Sequence, residues 1–260
     1  MSAKVWLVGA GPGDPGLITV KGLSCIRQAD ALVYDRLVCA DLLAEAPVGC
    51  ELINVGKRAD HHPVPQEEIN GILIRQAQLG RQVVRLKGGD PYVFGRGGEE
   101  AEALALLGIP FEVVPGITSA IGGLAYAGIP VTHRSHASAL HVITGHLQAG
   151  KAPLDWATLA RLDGTLVFLM GMSQLDTICH SLIRHGMDPQ TPAAAVMQAS
   201  QHAQRMSVGN LTSLPRRVEE DGLRAPALIV IGEVVQLHDL LKFVPTAIQL
   251  DETLPQAELA

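Results

Sequence analysis

Aromatic residues are scarce in this 260-residue chain, where Phe, Trp and Tyr together make up 3% of the sequence. A surface that stacks nucleobases or sugars on rings is therefore poorly supplied, and aliphatic side chains must fill the core. Positive charge is also short: 20 Lys and Arg stand against 26 Asp and Glu, a formal net charge of -6. That balance opposes general attraction to DNA or RNA, because non-specific affinity comes from cations neutralising phosphates. Cys25, Cys39, Cys50 and Cys179 lie far apart, without the two-residue separation of zinc sites and dithiol redox centres, and are read as reduced, mostly buried thiols. No apolar run is long enough to span a membrane. The run from Val5 to Val8 is too short for a signal-peptide core. The expectation is a soluble cytoplasmic protein with neither nucleic-acid nor membrane partners.

What the chain does have is apolar bulk, 47% of its residues, enough to bury one large core or two moderate ones. Short β-rich runs alternate with helical patterns. Strands are expected at Lys4 to Val8, Ala31 to Tyr34, Glu51 to Val55, Gln82 to Leu86 and Phe111 to Val114. Between them, helices are expected at Leu17 to Ala29, near Leu42, from about Gln66 to Leu79 and from about Glu99 to Leu107, an alternation that implies βαβ units. Gly80 and Gly108 sit where helix C-caps belong. A small-residue helix from Ser119 to Ala127 and a polar stretch from Thr132 to Ser138 follow. The domain boundary is placed there, giving an α/β domain over 1–132, a second over 133–245 and a disordered tail over 246–260. In the second domain, strands are expected at Leu140 to Thr144, Thr165 to Met170, Ala193 to Gln198 and Ala227 to Ile231, with Met206 to Val208 pairing with the strand before it. Helices are expected near Trp156, at Leu175 to Arg184 and at Leu214 to Glu220.

Three loops at strand ends carry the chemistry. The first, Gly9 to Gly16, follows a strand and precedes a helix, where glycines let backbone approach a ligand closely. Its spacing is not that of a dinucleotide fingerprint, since Asp14 stands where a glycine or alanine is needed and a carboxylate there repels a pyrophosphate. The second is Lys87-Gly88-Gly89-Asp90-Pro91 and the third Pro115-Gly116-Ile117-Thr118-Ser119-Ala120. Open α/β sheets bind ligands at such strand ends, so the three are expected to share one crevice. Arg36, Lys57, Arg96 and Arg134 fall at strand ends or in loops, as anion-binding groups do. Arg96, Glu99 and Glu100 are read as a flexible loop beside the second glycine cluster, and Met170 ends its strand at the same edge. His133, His136, His141 and His146 lack a clear third or fourth ligand, and no metal is expected.

The blocks Val8 to Gly16, Tyr34 to Val38, Val55 to Arg58, Gly88 to Glu100, Val114 to Ala120, Gly128 to Arg134, Thr144 to His146, Met170-Gly171 and Ala225 to Ile229 occur in an order that resembles the tetrapyrrole methylases, and within them the uroporphyrinogen-III C-methyltransferases. The block from Gly88 to Glu100 is the most specific, and the match runs from about Val5 to Val244. The resemblance implies two α/β domains, unlike the Rossmann-like methyltransferase fold, with the active site in the cleft between them, and a homodimer. It implies S-adenosyl-L-methionine as cofactor, S-adenosyl-L-homocysteine as product and a tetrapyrrole as substrate. Carried onto this chain, the cofactor site comprises Pro12, Gly88, Gly89, Asp90, Val93, Thr118, Ser119, Met170, Ala199, Ala227 and Leu228. Some members have glycine where this chain has Ala199. The dehydrogenase and ferrochelatase region fused to some members is not expected in this protein, so separate partners are expected to complete siroheme. Substrate contacts fall on Arg36, Arg96, Arg134 and Met170, and catalytic roles on Asp35, Lys57, Arg96 and Glu99. Arginine is a poor base, its pKa lying above ~12, which leaves proton transfer among Asp35, Lys57 and Glu99. A methylase of a later corrin intermediate, a diphthamide-type protein methyltransferase, a nicotinamide oxidoreductase and a catalytically silent cofactor-binding protein are the alternatives.

Overall fold

The computed structural model describes residues 3–56, 64–145 and 154–245. The first half runs β1 (Lys4–Gly9), α1 (Val20–Ile26), β2 (Ala31–Tyr34), α2 (Ala40–Ala44), β3 (Glu51–Asn54), α3 (Gln66–Gln78), β4 (Gln82–Lys87), α4 (Gly97–Leu106) and β5 (Phe111–Val114). Its strands form one parallel sheet in the order β3-β2-β4-β1-β5. Strands that return through helices must pair this way. Both faces of the central strands are covered, so they are apolar on both. Leu7 and Val83 pack with Leu73 of α3 and Leu104 of α4 on one face. On the other, Val8, Val84 and Leu86 pack with Ile26 of α1 and Leu42 of α2.

The second half runs α5 (Gly122–Tyr126), β6 (Leu140–Thr144), α6 (Trp156–Leu159), β7 (Thr165–Leu169), α7 (Leu175–Arg184), β8 (Pro192–Met197), β9 (Arg205–Asn210), α8 (Leu214–Glu220), β10 (Ala227–Ile231) and α9 (His238–Leu241). Its sheet has the order β6-β7-β10-β8-β9, with β6 and β7 parallel and the other pairs antiparallel. Met206 and Val208 do pair with the preceding strand, opposite Val196 and Ala194. Helices α7 and α8 cover one face. The other face takes α5: Ala120, Leu124, Ala127 and Ile129 pack with Val167, Val196, Leu228 and Val230. By packing, this segment joins the second sheet although it precedes position 132. Gly123 allows the close approach, since a Cβ there would lie 2.7 Å from the Ala199 Cβ and 3.2 Å from the Leu228 Cδ2.

Several elements are shorter than their sequence patterns. The first helix starts at Val20, not Leu17, because Thr19 caps it through the Gly22 amide at 3.0 Å and a tight turn, Pro15–Leu17, precedes it. The helix expected from Ser119 begins only at Gly122, behind a turn in which the Thr118 carbonyl accepts from the Ile121 amide. β7 stops at Leu169 and β8 at Met197 because Met170 and Gln198 take left-handed backbone, φ 57° and 47°. Arg96 is left-handed too, φ 61°, and α4 opens directly after it. Glu99 and Glu100 are therefore in the first turn of the helix expected from about Glu99, and not in the flexible loop also read there. The segment 246–260, expected to be disordered, lies outside the described residues.

Candidate active site

The three loops meet at the carboxyl end of the first sheet. Gly11 and Gly89 exchange hydrogen bonds, Gly89 N to Gly11 O at 2.8 Å and Gly11 N to Gly89 O at 3.2 Å, which ties the first loop to the second. Asp90 ties the second to the third: its Oδ1 accepts from the Tyr92 amide at 2.8 Å and its Oδ2 from the Gly116 amide at 2.9 Å. Gly9 and Gly116 are in backbone contact, so a Cβ on Gly9 would lie 2.5 Å from the Gly116 Cα. Gly89 has φ 69°, and a Cβ there would meet nothing nearer than the Thr118 Cα at 3.7 Å and Ser119 N at 4.0 Å. The methyl-sized gap beside Gly89, bounded by Thr118 and Ser119, is a candidate cradle for a ligand.

Several of the expected cofactor residues lie together around Gly122 and Gly123. The Pro12 ring packs beside Gly122, and Ser119, Ala199 and Leu228 all surround Gly123. Met170 follows Leu169, the register partner of Leu228, and Ala227 precedes Leu228 on β10. Left-handed backbone leaves the Met170 side chain 52% exposed at this edge, while Val93 is half-buried in the second loop. Ala199 is buried, its methyl filling the space that glycine at 123 leaves.

The charged residues divide into two groups. Arg36, Arg96, Arg134 and Glu99 are exposed. Arg96 Nε donates to Glu99 Oε2 at 2.5 Å across an open surface. Arg134 lies in a turn closed on itself by hydrogen bonds between His133 and Ala137 and makes no described contact with the three loops. Lys57 lies outside the described residues. Asp35, just past the end of β2, is part of a second, buried group. Its Oδ2 accepts from Arg85 Nη2 at 3.2 Å, and its Oδ1 is buried without a hydrogen-bond partner, on the side facing Gly88. Behind it Glu100 Oε1 accepts from Arg85 Nε and Lys87 Nζ, both at 3.0 Å. Burial, reinforced by the neighbouring Arg85 charge, pulls the Lys87 ammonium below the usual lysine range. Sequence reasoning placed Lys87 at the head of the second loop and Glu100 beside Arg96, and did not single out Arg85. The signal was present: cations at alternate positions of an otherwise apolar central strand need buried counter-charges.

The cleft is braced between the halves by Asp14. Its amide donates to Ser200 Oγ at 3.2 Å, its Oδ1 accepts from the Gly16 amide at 2.8 Å, and its Oδ2 accepts from the Tyr126 hydroxyl at 2.7 Å. The residue that breaks the dinucleotide fingerprint is thus a clamp. Burial, and then the Asp14 hydrogen bond, push the Tyr126 hydroxyl up to about 12. A group held protonated by the fold stabilises below its unfolded pKa, near 10, and loses that contribution as pH rises towards 12. Tyr126→Phe is therefore expected to be less stable than the parent at pH 8, with the gap in denaturation midpoint closing between pH 10 and 12. A gap constant across that range refutes the clamp. Among the described residues, no three His, Cys, Asp or Glu side chains stand close enough to hold a metal, and no helix is long and apolar enough to cross a membrane.

Comparison with known proteins agrees with this geometry. Residues 4–215 match the family model of the Tetrapyrrole (Corrin/Porphyrin) Methylases. A siroheme synthase of Pseudomonas aeruginosa is 50% identical over 240 residues, covering 92% of this chain and 52% of that protein. The chain thus spans about half the length of such relatives. The structure of uroporphyrin-III C-methyltransferase from Thermus thermophilus, complexed with S-adenosyl homocysteine, superposes with a TM-score of 0.77 at 42% identity, covering 90% of this chain and 93% of that one. A cobalt precorrin-4 methyltransferase superposes with a TM-score of 0.80 at 28% identity, over 90% of this chain and 96% of that one. With most of its length matched by the family model, half its residues shared with a relative and the same two-sheet architecture, the chain belongs to the tetrapyrrole methylases.

Proposed function

We propose that the chain is an S-adenosylmethionine-dependent uroporphyrinogen-III C-methyltransferase, adding two methyl groups by way of precorrin-1 to give precorrin-2. The observation that carries this is the meeting of three glycine-rich strand ends with a partly buried carboxylate, Asp35, whose one oxygen is unpartnered beside Gly88. The residues fit the cofactor: Gly89 leaves a hollow that a side chain would fill, and Pro12, Gly88, Gly89, Asp90, Val93, Thr118, Ser119, Met170, Ala199, Ala227 and Leu228 are its walls in this reading. Bound there, S-adenosylmethionine supplies an electrophilic methyl group. The chain contributes placement, since transfer to a pyrrole carbon needs the two reactants held in line. Its exposed cations Arg36, Arg96 and Arg134 suit the acetate and propionate arms of the macrocycle, arginine offering a planar fork to each carboxylate. After methylation a ring proton must leave, and Asp35 is the base the geometry favours. Glu99 is exposed and engaged with Arg96, while Lys57 keeps the proton-transfer role that the family resemblance implies.

A methylase of later corrin intermediates is the second reading, favoured by the fold alone: the precorrin-4 enzyme superposes as well as the uroporphyrin-III one, but shares 28% of its residues against 42%. The homodimer belongs to the uroporphyrinogen-III reading and is supported by the exposed apolar side chains of Leu240, Leu241, Phe243 and Val244, on either side of Lys242. So does a cytoplasmic location, supported by four free cysteines. Incubation with uroporphyrinogen III and methyl-labelled S-adenosylmethionine tests the proposal: product mass should rise by two methyl groups. Absence of transfer to uroporphyrinogen III alongside transfer to a later corrin would overturn it. S-adenosylhomocysteine should also raise the melting temperature where NAD does not. Arg96→Lys, which keeps charge but loses the fork, is expected to raise KM for uroporphyrinogen III about tenfold with S-adenosylhomocysteine affinity unchanged. An unchanged KM removes Arg96 from substrate binding.

A further inference from the structure

Central strand β4 carries two charges where apolar side chains would pack, and α4 meets them with a third. Arg85 and Lys87 are each 3% exposed and Glu100 is fully buried. Such groups cost solvation that their mutual attraction rarely repays, and an apolar trio of similar volume would commonly stabilise the fold as well or better. Stability alone does not explain them. Their geometry does, because every arm of the Arg85 guanidinium is committed. Nε donates to Glu100 Oε1 at 3.0 Å, Nη1 to the carbonyls of Val33 and Leu86 at 3.4 and 3.1 Å, and Nη2 to Asp35 Oδ2 at 3.2 Å. Glu100 Oε1 is fixed in turn by Lys87 Nζ at 3.0 Å and Gln66 Nε2 at 3.3 Å. Of the four charged residues only Asp35 reaches outward, its side chain 29% exposed against 4% or less for the others.

We propose that Arg85, locked in place by Glu100 and Lys87, is a positioning residue that grips Asp35 by Oδ2 and thereby fixes the orientation of its carboxylate towards the reacting macrocycle. The proposal rests on the methyltransferase reading above, in which Asp35 accepts the ring proton. A carboxylate free to rotate offers its oxygens in many orientations, whereas one gripped by a fixed guanidinium is held in one. Glu100 serves a second purpose. With Asp35, the buried glutamate brings the cluster of two anions and two cations to neutrality, so that neither cation is buried without a counter-charge. Lys87 also joins the cluster to the ligand loops, since it is the last residue of β4, precedes Gly88 and accepts the Ala10 amide at 2.7 Å through its carbonyl.

Arg85→Lys keeps the charge and removes the fork, so its steady-state kinetics with uroporphyrinogen III, beside the parent enzyme, decide the matter. The expected result is a kcat lowered about 30-fold, with KM for uroporphyrinogen III and the Kd of S-adenosylhomocysteine within about twofold of the parent. Glu100→Gln, which leaves Asp35 and Arg85 in place but loosens the anchor and removes its charge, should lower kcat in the same sense at unchanged KM. A folded Arg85→Lys enzyme with kcat within about threefold of the parent overturns the proposal. So does a parallel loss of kcat, substrate affinity and cofactor affinity, the mark of a purely structural role. If Arg85→Lys does not fold, the neutral pair Lys87→Met with Glu100→Gln is judged by the same readouts. A parent enzyme that transfers no methyl group strikes down the functional reading itself; an active parent with unimpaired variants strikes down only the positioning role.

Discussion

Asp35→Asn is expected to lower kcat by about 100- to 1000-fold while S-adenosylhomocysteine binds as before, the range a positioned general base contributes. The asparagine side chain has the same shape but cannot take up a proton. Its carbonyl oxygen can still accept from Arg85 Nη2, so the buried cluster behind it keeps one contact. That separates chemistry from architecture: the variant should melt as a cooperative unit and bind the cofactor product, yet stall after substrate binding. Isothermal titration with S-adenosylhomocysteine and single-turnover methyl transfer measure the two halves. A single-turnover rate within tenfold of the parent would remove Asp35 from proton transfer and leave Lys57 or Glu99 as the base.

Gly9→Ala should be strongly damaging for a substitution of one methyl group. The added Cβ would lie 2.5 Å from the Gly116 Cα and 2.6 Å from both Gly116 N and Gly89 O, all of them backbone atoms of strand ends. No rotamer change relieves such a contact, so β1 must part from the second and third loops. Overpacking of this kind costs about 1–3 kcal/mol, or roughly 3–10 °C in Tm for a chain of this size. The larger loss is in ligand binding: the cradle at Gly89 is framed by those same loops, and affinity for S-adenosylhomocysteine should fall by tenfold or more. Gly98→Ala is the internal comparison, since a Cβ there meets nothing within 4 Å, and its Tm should stay within about 2 °C of the parent. Equal melting temperatures and equal affinities for the two variants would mean that the loops do not form one binding surface.

Local pattern carried much of the architecture. The apolar runs at Lys4–Gly9, Gln82–Lys87 and Ala227–Ile231 declare themselves as strands, and Gly80 and Gly108, φ 83° and 66°, cap the helices where a left-handed residue was required. Element ends were less legible, because Thr19, Met170 and Gln198 terminate or start structure through a side-chain cap or a positive φ that tertiary contacts impose. The chemistry of Asp14 was half visible: it interrupts a fingerprint in sequence, but its grip on Tyr126, 112 residues away, is not written in either neighbourhood.

The sequence by itself determined the order and kind of the elements, the three glycine-rich loops at strand ends and, through the block from Gly88 to Glu100, the family to which the chain belongs. Tertiary structure alone decided that Asp35, Arg85, Lys87 and Glu100 form one buried cluster, and that the helix from Gly122 to Tyr126 serves the second sheet. The reason is that local pattern fixes which way a side chain leaves its own strand or helix. Which partner it then meets depends on strand order, and only the placing of β2 beside β4, with α4 packed over them, brings charges so distant in the chain within a hydrogen bond of one another.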